Sequence, residues 1–213
     1  AIYIEKLLAK FQLQNCKPYP TPVVKNDLTE GKTVEYPLKH LLGALQWVAT
    51  VCRPDIQFAV QRIQRCTVVT SSAVNAAKRI VGYLRATKDR GLSYSPEGEE
   101  RFRASYSSIL HESEPSKDLY NVVTFADADF AGCTTTFKST SGIIMYFRGV
   151  PLAWSSKRQT LRAGSTTEAE YIAVHDALVI REQQGYLNFL LEVDNLPFTL
   201  FSDNMSALKV SKQ

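Results

Sequence analysis

The spacing of apolar residues changes from helical to strand-like about halfway along this chain. In the first part, apolar residues recur every three or four positions, which is typical of amphipathic helices. This pattern predicts four helices, over residues 2–14, 38–51, 54–66 and 71–87. A Pro-rich segment from Lys17 to Pro22 ends the first helix, and Ser71 or Ser72 is the candidate N-cap of the fourth. The N-terminal part is therefore predicted to be mainly helical.

The second part has the pattern of an α/β unit. Alternating apolar residues predict three consecutive antiparallel strands, over residues 121–132, 140–150 and 151–160, with a turn at Arg148-Gly149. A long helix is predicted from Thr166 to about Val193, followed by a fourth strand over 197–204 and the start of another helix. The predicted order is three antiparallel strands, a helix, a strand and a helix.

Between these parts lies a segment rich in Ser, Glu and Pro that has little periodicity, which predicts a linker. We therefore predict a helical region over residues 1–94, a linker over 95–119 and an α/β domain over 120–213.

The composition favours a globular protein, with 45% hydrophobic and 22% charged residues. No run approaches the roughly 18 apolar residues of a membrane helix, so we expect no membrane partner. The amphipathic start does not resemble a signal peptide, and an intracellular location is expected. The four cysteines lack the spacing of a zinc site or a disulfide framework.

The net charge of +4 is unevenly distributed, because many basic residues lie between Arg53 and Arg90 on predicted helices. Such an array suits a phosphate backbone. The alternative is an ordinary solvated helix surface, which charge alone favours.

Two of the predicted strands finish with the order Phe, any residue, Asp. Val123, Phe125, Asp127 and Asp129 share one face of the first strand, and Phe201 and Asp203 share one face of the fourth. Because α/β sheets usually carry their chemistry at the carboxyl ends of strands, we expect these acids to lie close together.

Two glutamates begin the long helix, and their spacing predicts different roles. Ser165 and Glu168 have the spacing of a capping box, which is a structural role. Glu170 instead begins a stripe of small apolar residues, Ala173, Val174 and Ala177, that is suited to packing on a sheet. A carboxylate in that position needs a charged partner or a metal ion, because a buried unpaired charge is costly.

Three acids from two strand ends and one helix are the ligands that a divalent metal site requires, since Mg²⁺ prefers oxygen. Two such ions about 3.5 to 4 Å apart can support phosphodiester cleavage. The alternative is that each aspartate caps its own loop, and spacing alone does not separate the two.

Four segments, "ADADFAG", "FKSTSGIIMYFRGVPLAWSSKRQ", "STTEAEYIAV" and "SDNMSA", resemble the ribonuclease H domain of copia-type retrotransposon Pol polyproteins, in the order of that family. Upstream, "YPLKHLLGALQWVATVCRPDIQFAV" and its neighbours resemble the reverse-transcriptase thumb and connection region. The resemblance implies a ribonuclease H-like fold for the α/β domain.

The resemblance also implies that Asp127, Glu170 and Asp203 are catalytic and hold two Mg²⁺ or Mn²⁺ ions. The implied reaction is hydrolysis of the RNA strand of an RNA–DNA hybrid during reverse transcription, and the role of Asp129 stays open. Candidate contacts to the nucleic-acid backbone are Lys138, Ser139, Lys157 and Arg158. Such contacts position a duplex without reading its sequence.

The chain departs from the family in two respects. It has no paired-aspartate polymerase motif, so no DNA synthesis is expected. The family has a further helix, strand and late acid after the "SDN" segment, whereas this sequence stops at Gln213, so the domain is expected to be incomplete. A homo-oligomer partner or a missing segment would complete it.

The alternative function is a catalytically inactive retrotransposon-derived fragment that binds nucleic acid or protein. The expected location is cytoplasmic, in a virus-like particle, or nuclear.

Overall fold

The computed structural model describes residues 1–24, 28, 31–109, 122–133, 136–180, 184–192 and 198–203. Within these residues the chain forms seven α-helices, a short 3-10 helix and four β-strands, which confirms the α/β class. Contacts divide the chain into two compact units, Ala1–Gly91 and Leu92–Gln213. Among the helices so described, none combines the length and apolar character that crossing a membrane requires.

The N-terminal unit is helical, as predicted. Its elements are α1 (Ile2–Lys10), α2 (Leu38–Val51), a 3-10 turn (Pro54–Ile56), α3 (Gln57–Gln64) and α4 (Ser71–Ala86). Apolar residues from α2 and α4, including Leu41, Leu45, Ile80 and Leu84, are fully buried and form the centre of the core.

The N-cap of α4 differs from the prediction. Thr70 has an extended backbone, and its Oγ1 accepts a hydrogen bond of 3.3 Å from the Ala73 N–H. Ser71 is already helical, so neither Ser71 nor Ser72 is the cap. Threonine satisfies a free N–H at this position in the same way as serine, and sequence alone did not separate the three hydroxyls.

Arg53 is a buried cation in this unit, with 2% of its surface exposed. Its guanidinium donates to Asp55 Oδ2 at 2.7 Å, to Thr87 Oγ1 at 2.7 Å and to the Thr87 carbonyl at 3.0 Å. The Tyr83 hydroxyl donates to the same Asp55 oxygen at 2.6 Å. These bonds connect the turn before α3 to the end of α4.

Two glycines in helices predict stability changes of opposite sign. A Cβ at Gly82 in α4 would lie 2.2 Å from the Lys17 carbonyl oxygen, whereas a Cβ at Gly43 in α2 would meet nothing within 4 Å. We expect Gly82→Ala to destabilise the protein by about 1 to 3 kcal/mol through overpacking against backbone. Gly43→Ala should stabilise it by about 0.5 to 1 kcal/mol, because alanine favours helix. Urea unfolding of both variants measures this, and a shift of both midpoints in the same direction would contradict it.

The C-terminal unit contains one four-stranded sheet. Its strands are β1 (Val122–Asp129), β2 (Thr140–Phe147), β3 (Val150–Arg158) and β4 (Phe198–Phe201), in the order β3-β2-β1-β4. The first three strands pair antiparallel, and β4 pairs parallel with β1, as the predicted order requires. Arg148 and Gly149 both have positive φ, 49° and 80°, which is the geometry of a tight hairpin turn.

One face of the sheet is covered by α6 (Thr166–Ile180), whose Ala173 and Ala177 pack on Ala126 and Ile143. A further helix, α7 (Gln184–Leu190), lies before β4. The sequence predicted one long helix from Thr166 to about Val193. The structure shows α6 and α7 within that range, and residues 181–183 and 193 lie outside the described part. The helix predicted after the fourth strand also lies outside it.

A helix, α5 (Pro96–Ile109), occupies much of the segment that was predicted to be a linker. Its Phe102 clusters with Val123, Phe125 and Phe201, on the sheet face opposite α6, and its ring lies 4.9 Å from that of Tyr146. One aromatic anchor produces little periodicity, which is why the sequence indicated a linker. Residues 110–119 of the predicted linker lie outside the described part.

Candidate metal centre

The parallel pairing of β1 with β4 aligns the two Phe-any-Asp segments. Phe125 pairs with Phe201 in the register, and their rings stack at 5.3 Å between centroids. Because each acid follows its phenylalanine by two residues, the same register places Asp203 beside Asp127. Both aspartates are exposed, at the end of the sheet where the pairing of these strands finishes.

The third carboxylate comes from the first turns of α6. Glu170 is 7% exposed, and its Oε1 accepts a hydrogen bond of 3.2 Å from the Ala128 N–H. Ala173, Val174 and Ala177, which share its side of the helix, are buried against the sheet as their spacing predicted. The close approach of small side chains brings the glutamate down to the end of β1.

Glu168 has the structural role that the capping-box spacing predicted. Its Oε2 accepts from the Gly164 N–H at 2.7 Å, and its own N–H donates to Ser165 Oγ at 3.1 Å. Because Glu168 is engaged at the helix start, Glu170 is the glutamate that α6 offers to the aspartates.

The three acids form one cluster. One carboxylate oxygen from each of Asp127, Glu170 and Asp203 lies within 4.8 Å of the other two. Within the described ranges, no lysine or arginine forms an ion pair with any of them. The structure thus brings together the three residues that the sequence analysis singled out.

Burial and the neighbouring carboxylates both disfavour a negative charge on Glu170. Burial is the largest cause that raises the pKa of Glu170, and the carboxylates of Asp127 and Asp203 add to it; against the lowering effect of the Ala128 N–H, the pKa is raised to about 7. A cluster that resists ionisation in this way is stabilised by a cation, since a positive charge compensates the carboxylates.

The cluster fits a hard divalent cation. Glu170 Oε2 is buried and has no hydrogen-bond partner among the described residues. An unpartnered carboxylate oxygen beside two exposed carboxylates is a ligand set of the kind that Mg²⁺ and Mn²⁺ take. Asp127, Glu170 and Asp203 are the residues that would hold such an ion.

Asp129 lies outside this cluster and is the last residue of β1, directly before the turn. A Cβ on Gly132 would lie 1.8 Å from Asp129 Oδ2, so the carboxylate rests directly on the glycine. This contact favours a role for Asp129 in the turn rather than in the metal centre.

The four candidate contacts to nucleic acid differ in accessibility. Lys157 is exposed, and Lys138 and Arg158 are half-buried, with Lys138 Nζ donating to the Thr160 carbonyl. Ser139 is fully buried, and its Oγ accepts from the Ala131 N–H at 3.1 Å. Its hydroxyl therefore holds the β1–β2 connection and is not available to a ligand.

The basic residues of the N-terminal helices are largely engaged within their own unit. Arg53 is buried, so it cannot belong to a surface track. Arg79 donates to the Thr21 carbonyl at 3.1 Å, Arg85 donates to the Cys16 carbonyl, and Lys88 pairs with Glu5 at 3.4 Å. Contacts within the chain thus explain the positions of these basic residues, which counting charges along the sequence did not.

Sequence reasoning missed a polar group beside the centre. Gln159, at the end of β3, is 3% exposed and bonds to both Ser141 and the start of α6. It lies inside the "WSSKRQ" segment, whose alternation placed it on a strand but carried no signal of its contacts.

Comparison with known proteins gives relatives of three kinds. The chain is 32% identical over 177 residues to the uncharacterized mitochondrial protein AtMg00810 of Arabidopsis thaliana, covering 81% of this chain and 65% of that protein. It is 32% identical over 214 residues to the retrovirus-related Pol polyprotein from transposon RE2 of Arabidopsis thaliana, covering 96% of this chain and 13% of the polyprotein. It thus spans less than two thirds of either relative.

A third relative is the secreted RxLR effector protein 161 of Plasmopara viticola, 30% identical over 142 residues, which are 66% of this chain and 86% of that protein. No protein-family model and no solved structure matches the sequence. The chain is thus similar, at about 30% identity, to retrovirus-related Pol polyproteins of copia-type transposons and to AtMg00810-like proteins.

Proposed function

We propose that the C-terminal unit is a ribonuclease H that hydrolyses the RNA strand of RNA–DNA hybrids with two Mg²⁺ or Mn²⁺ ions. The observation that carries this proposal is the cluster of Asp127, Glu170 and Asp203, with one oxygen of each within 4.8 Å of the others. The relatives among transposon Pol polyproteins support a retrotransposon origin. The strand and helix order agrees with the ribonuclease H-like fold that the sequence resemblance implies.

The three carboxylates have unequal roles in this proposal. Asp127 and Asp203 are exposed, so they face the side from which a phosphate approaches. Glu170 is buried and held by the Ala128 N–H, so it closes the centre from the helix side and excludes water there. When bound, divalent cations in such a site activate a water and stabilise the leaving oxygen of a phosphodiester.

The hybrid would extend from this centre across the end of the sheet. The register pairs Ala128 with Ser141 and Ser141 with Lys157, so Lys157 lies two strands from β1, roughly 10 Å at the usual strand spacing. Lys157 thus places a positive charge at about this distance from the acidic cluster, and Arg158 and Lys138 are further candidates for backbone contacts. Cations at this distance suit the phosphates that flank a scissile bond. Selectivity for a hybrid would instead rest on the shape of its groove and on the 2′-OH groups of the RNA strand.

The test is cleavage of a labelled RNA–DNA hybrid by the whole chain with Mg²⁺ or Mn²⁺, beside Asp203→Asn. We expect cleavage of the RNA strand by the unsubstituted chain. The asparagine variant should lose about a hundredfold in rate, because a metal ligand matters at least as much as residues that only support ligands. Single-stranded RNA and duplex DNA are the substrate controls.

The result also separates this proposal from the alternative of a non-catalytic module. Equal cleavage by both proteins, at the background level, would exclude the proposed ribonuclease activity. If hybrid binding then persisted with a steep salt dependence, a nucleic-acid-binding role would replace it. Absence of both cleavage and binding would leave an interaction with protein as the remaining function.

A further inference from the structure

Gln159 joins three elements next to the acidic cluster. Its side-chain Nε2 donates to the Ala169 carbonyl at 2.8 Å, in the first turn of α6, and to Ser141 Oγ on β2 at 3.1 Å. Its backbone N–H donates to the Ser139 carbonyl at 2.9 Å. The end of β3 is therefore bonded both to the start of β2 and to the helix that carries Glu170.

A second bond continues this network along α6. Ser141 Oγ donates to Asp176 Oδ2 at 2.9 Å. Ala169 and Asp176 are seven residues apart, which is about two helical turns, so both lie toward the same side of the helix. Attachment at two points two turns apart fixes the rotation of α6 about its axis as well as its height above the sheet.

The chemistry of the network requires an amide at position 159. Both N–H groups of Nε2 donate to oxygens, while Ser141 uses its own hydrogen on Asp176, so a carboxylate could not replace the amide. Gln159 Oε1 is buried without a hydrogen-bond partner among the described residues, which costs about 1 to 3 kcal/mol. The two bonds from Nε2, at about 0.5 to 1.5 kcal/mol each, offset this cost, so the residue brings little net stability.

We infer that Gln159 is a positioning residue for Glu170, an inference that rests on the proposed metal-dependent nuclease. Ala169 directly precedes Glu170, so the bond from Gln159 to its carbonyl sets where the glutamate side chain starts. From there Glu170 Oε1 reaches the Ala128 N–H at 3.2 Å and the cluster with Asp127 and Asp203. Residues that orient metal ligands in this way typically carry about 10- to 100-fold in metal affinity or activity.

The test is Gln159→Met, which keeps the length of the side chain and removes both N–H donors. We expect its Mn²⁺ dissociation constant, measured by calorimetry, to rise about tenfold or more. The rate constant for hybrid cleavage should fall with little change in KM, since the nucleic-acid contacts are untouched. By NMR, the Ala128 amide should exchange with solvent faster, because that N–H is shared between Asp127 Oδ1 at 2.8 Å and Glu170 Oε1 at 3.2 Å and the second bond is weakened.

Val122→Ala is the matched control. Val122 is fully buried at the start of β1, in a cluster with Met145, and its truncation lowers stability without touching the network. This variant should keep the Mn²⁺ affinity and the Ala128 protection of the unsubstituted chain. If Gln159→Met gives no folded protein by circular dichroism, Ser141→Ala removes one of the two Nε2 acceptors and should change both quantities in the same direction, by less.

The outcomes separate this inference from the proposed function. Unchanged Ala128 exchange and Mn²⁺ affinity in Gln159→Met would overturn the positioning role, as would equal changes in Val122→Ala. If the unsubstituted chain neither binds Mn²⁺ nor cleaves the hybrid, the proposed nuclease function is wrong. In that case faster Ala128 exchange in Gln159→Met alone would still establish that Gln159 places Glu170.

Discussion

Replacing Glu170 with glutamine should lower hybrid cleavage by at least about a hundredfold and, at the same time, stabilise the metal-free protein at pH 8. The two effects have one cause. Glu170 is the buried member of the acidic cluster, and its Oε2 has no hydrogen-bond partner among the described residues. An ionised carboxylate there suits a cation but opposes folding when the cation is missing.

The sign of the pH dependence follows from the raised pKa. Burial first, and then Asp127 and Asp203, raise the pKa of Glu170 to about 7. Since an unfolded glutamate has a pKa near 4.3, the folded state binds this proton more tightly. The contribution of Glu170 to stability is therefore greatest below about pH 4.3 and is lost as the pH rises through about 7. Glutamine carries no charge at either pH and avoids this loss.

Urea unfolding in EDTA at pH 4 and pH 8 measures the effect. We expect Glu170→Gln to be more stable than the unsubstituted chain by about 2 kcal/mol at pH 8 and nearly equal to it at pH 4. Added Mg²⁺ should stabilise the unsubstituted chain and not the variant, since only a bound ligand shifts the unfolding equilibrium.

Glu168→Gln is the control for this pair of measurements. Glu168 lies two residues away on the same helix and bonds to the Gly164 N–H rather than to the cluster. Its substitution should leave cleavage intact and give no stability gain at pH 8. Destabilisation by Glu170→Gln at pH 8 would show instead that the glutamate is a structural residue.

The second large effect is expected at Asp55, the partner of the buried Arg53. Asp55→Ala leaves the guanidinium with only Thr87 as a hydrogen-bond acceptor among the bonds described above. Breaking a buried pair from one side typically costs about 3 to 5 kcal/mol. Because the Asp55 side chain is 37% exposed, water can replace part of the lost interaction, and we expect about 2 to 3 kcal/mol.

Glu5→Ala provides the comparison, because Glu5 forms an exposed ion pair with Lys88 at 3.4 Å. That substitution should cost less than about 0.5 kcal/mol. Urea unfolding at neutral pH measures both variants, and similar losses at the two sites would contradict the importance of burial.

Acid should reduce the penalty of Asp55→Ala. Burial by itself raises the pKa of Asp55, but the hydrogen bonds from Arg53 and Tyr83 outweigh it, so the pKa is lowered overall. A lowered folded-state pKa means that this contribution is fully present above the unfolded value near 3.9 and is lost as the pH falls through the folded one. A penalty that grew below pH 4 would refute this assignment.

Sequence reasoning was most successful where a local pattern decides the structure. The apolar spacing of "LKHLLGALQWVATV" predicted α2 with its observed bounds, and alternation predicted β1 to β3 and the turn at Arg148-Gly149. The cluster could be anticipated because Phe125-x-Asp127 and Phe201-x-Asp203 repeat the same order on two strands that pair in parallel. Helical geometry then distinguished Glu170 from the capping Glu168.

Sequence reasoning was less successful where contacts between residues distant in the chain determine the structure. The segment predicted as a linker contains α5, which a single ring, Phe102, attaches to aromatic residues of the sheet. Ser139 and Arg53 carry polar groups typical of a nucleic-acid surface, yet both are buried and bonded to their own chain. Nothing in their neighbours along the sequence indicates that burial.

By itself, the sequence predicted the alternation of elements, the three acids that the structure brings together and the choice between two glutamates, because periodicity is a local property of the backbone. Only the tertiary structure decided which cations are engaged internally, that Phe102 of α5 packs on the second face of the sheet, and that Gln159 bonds to the helix carrying Glu170. Those outcomes depend on which residues meet across long separations in the chain, and a pairwise contact has no periodic signal in the sequence.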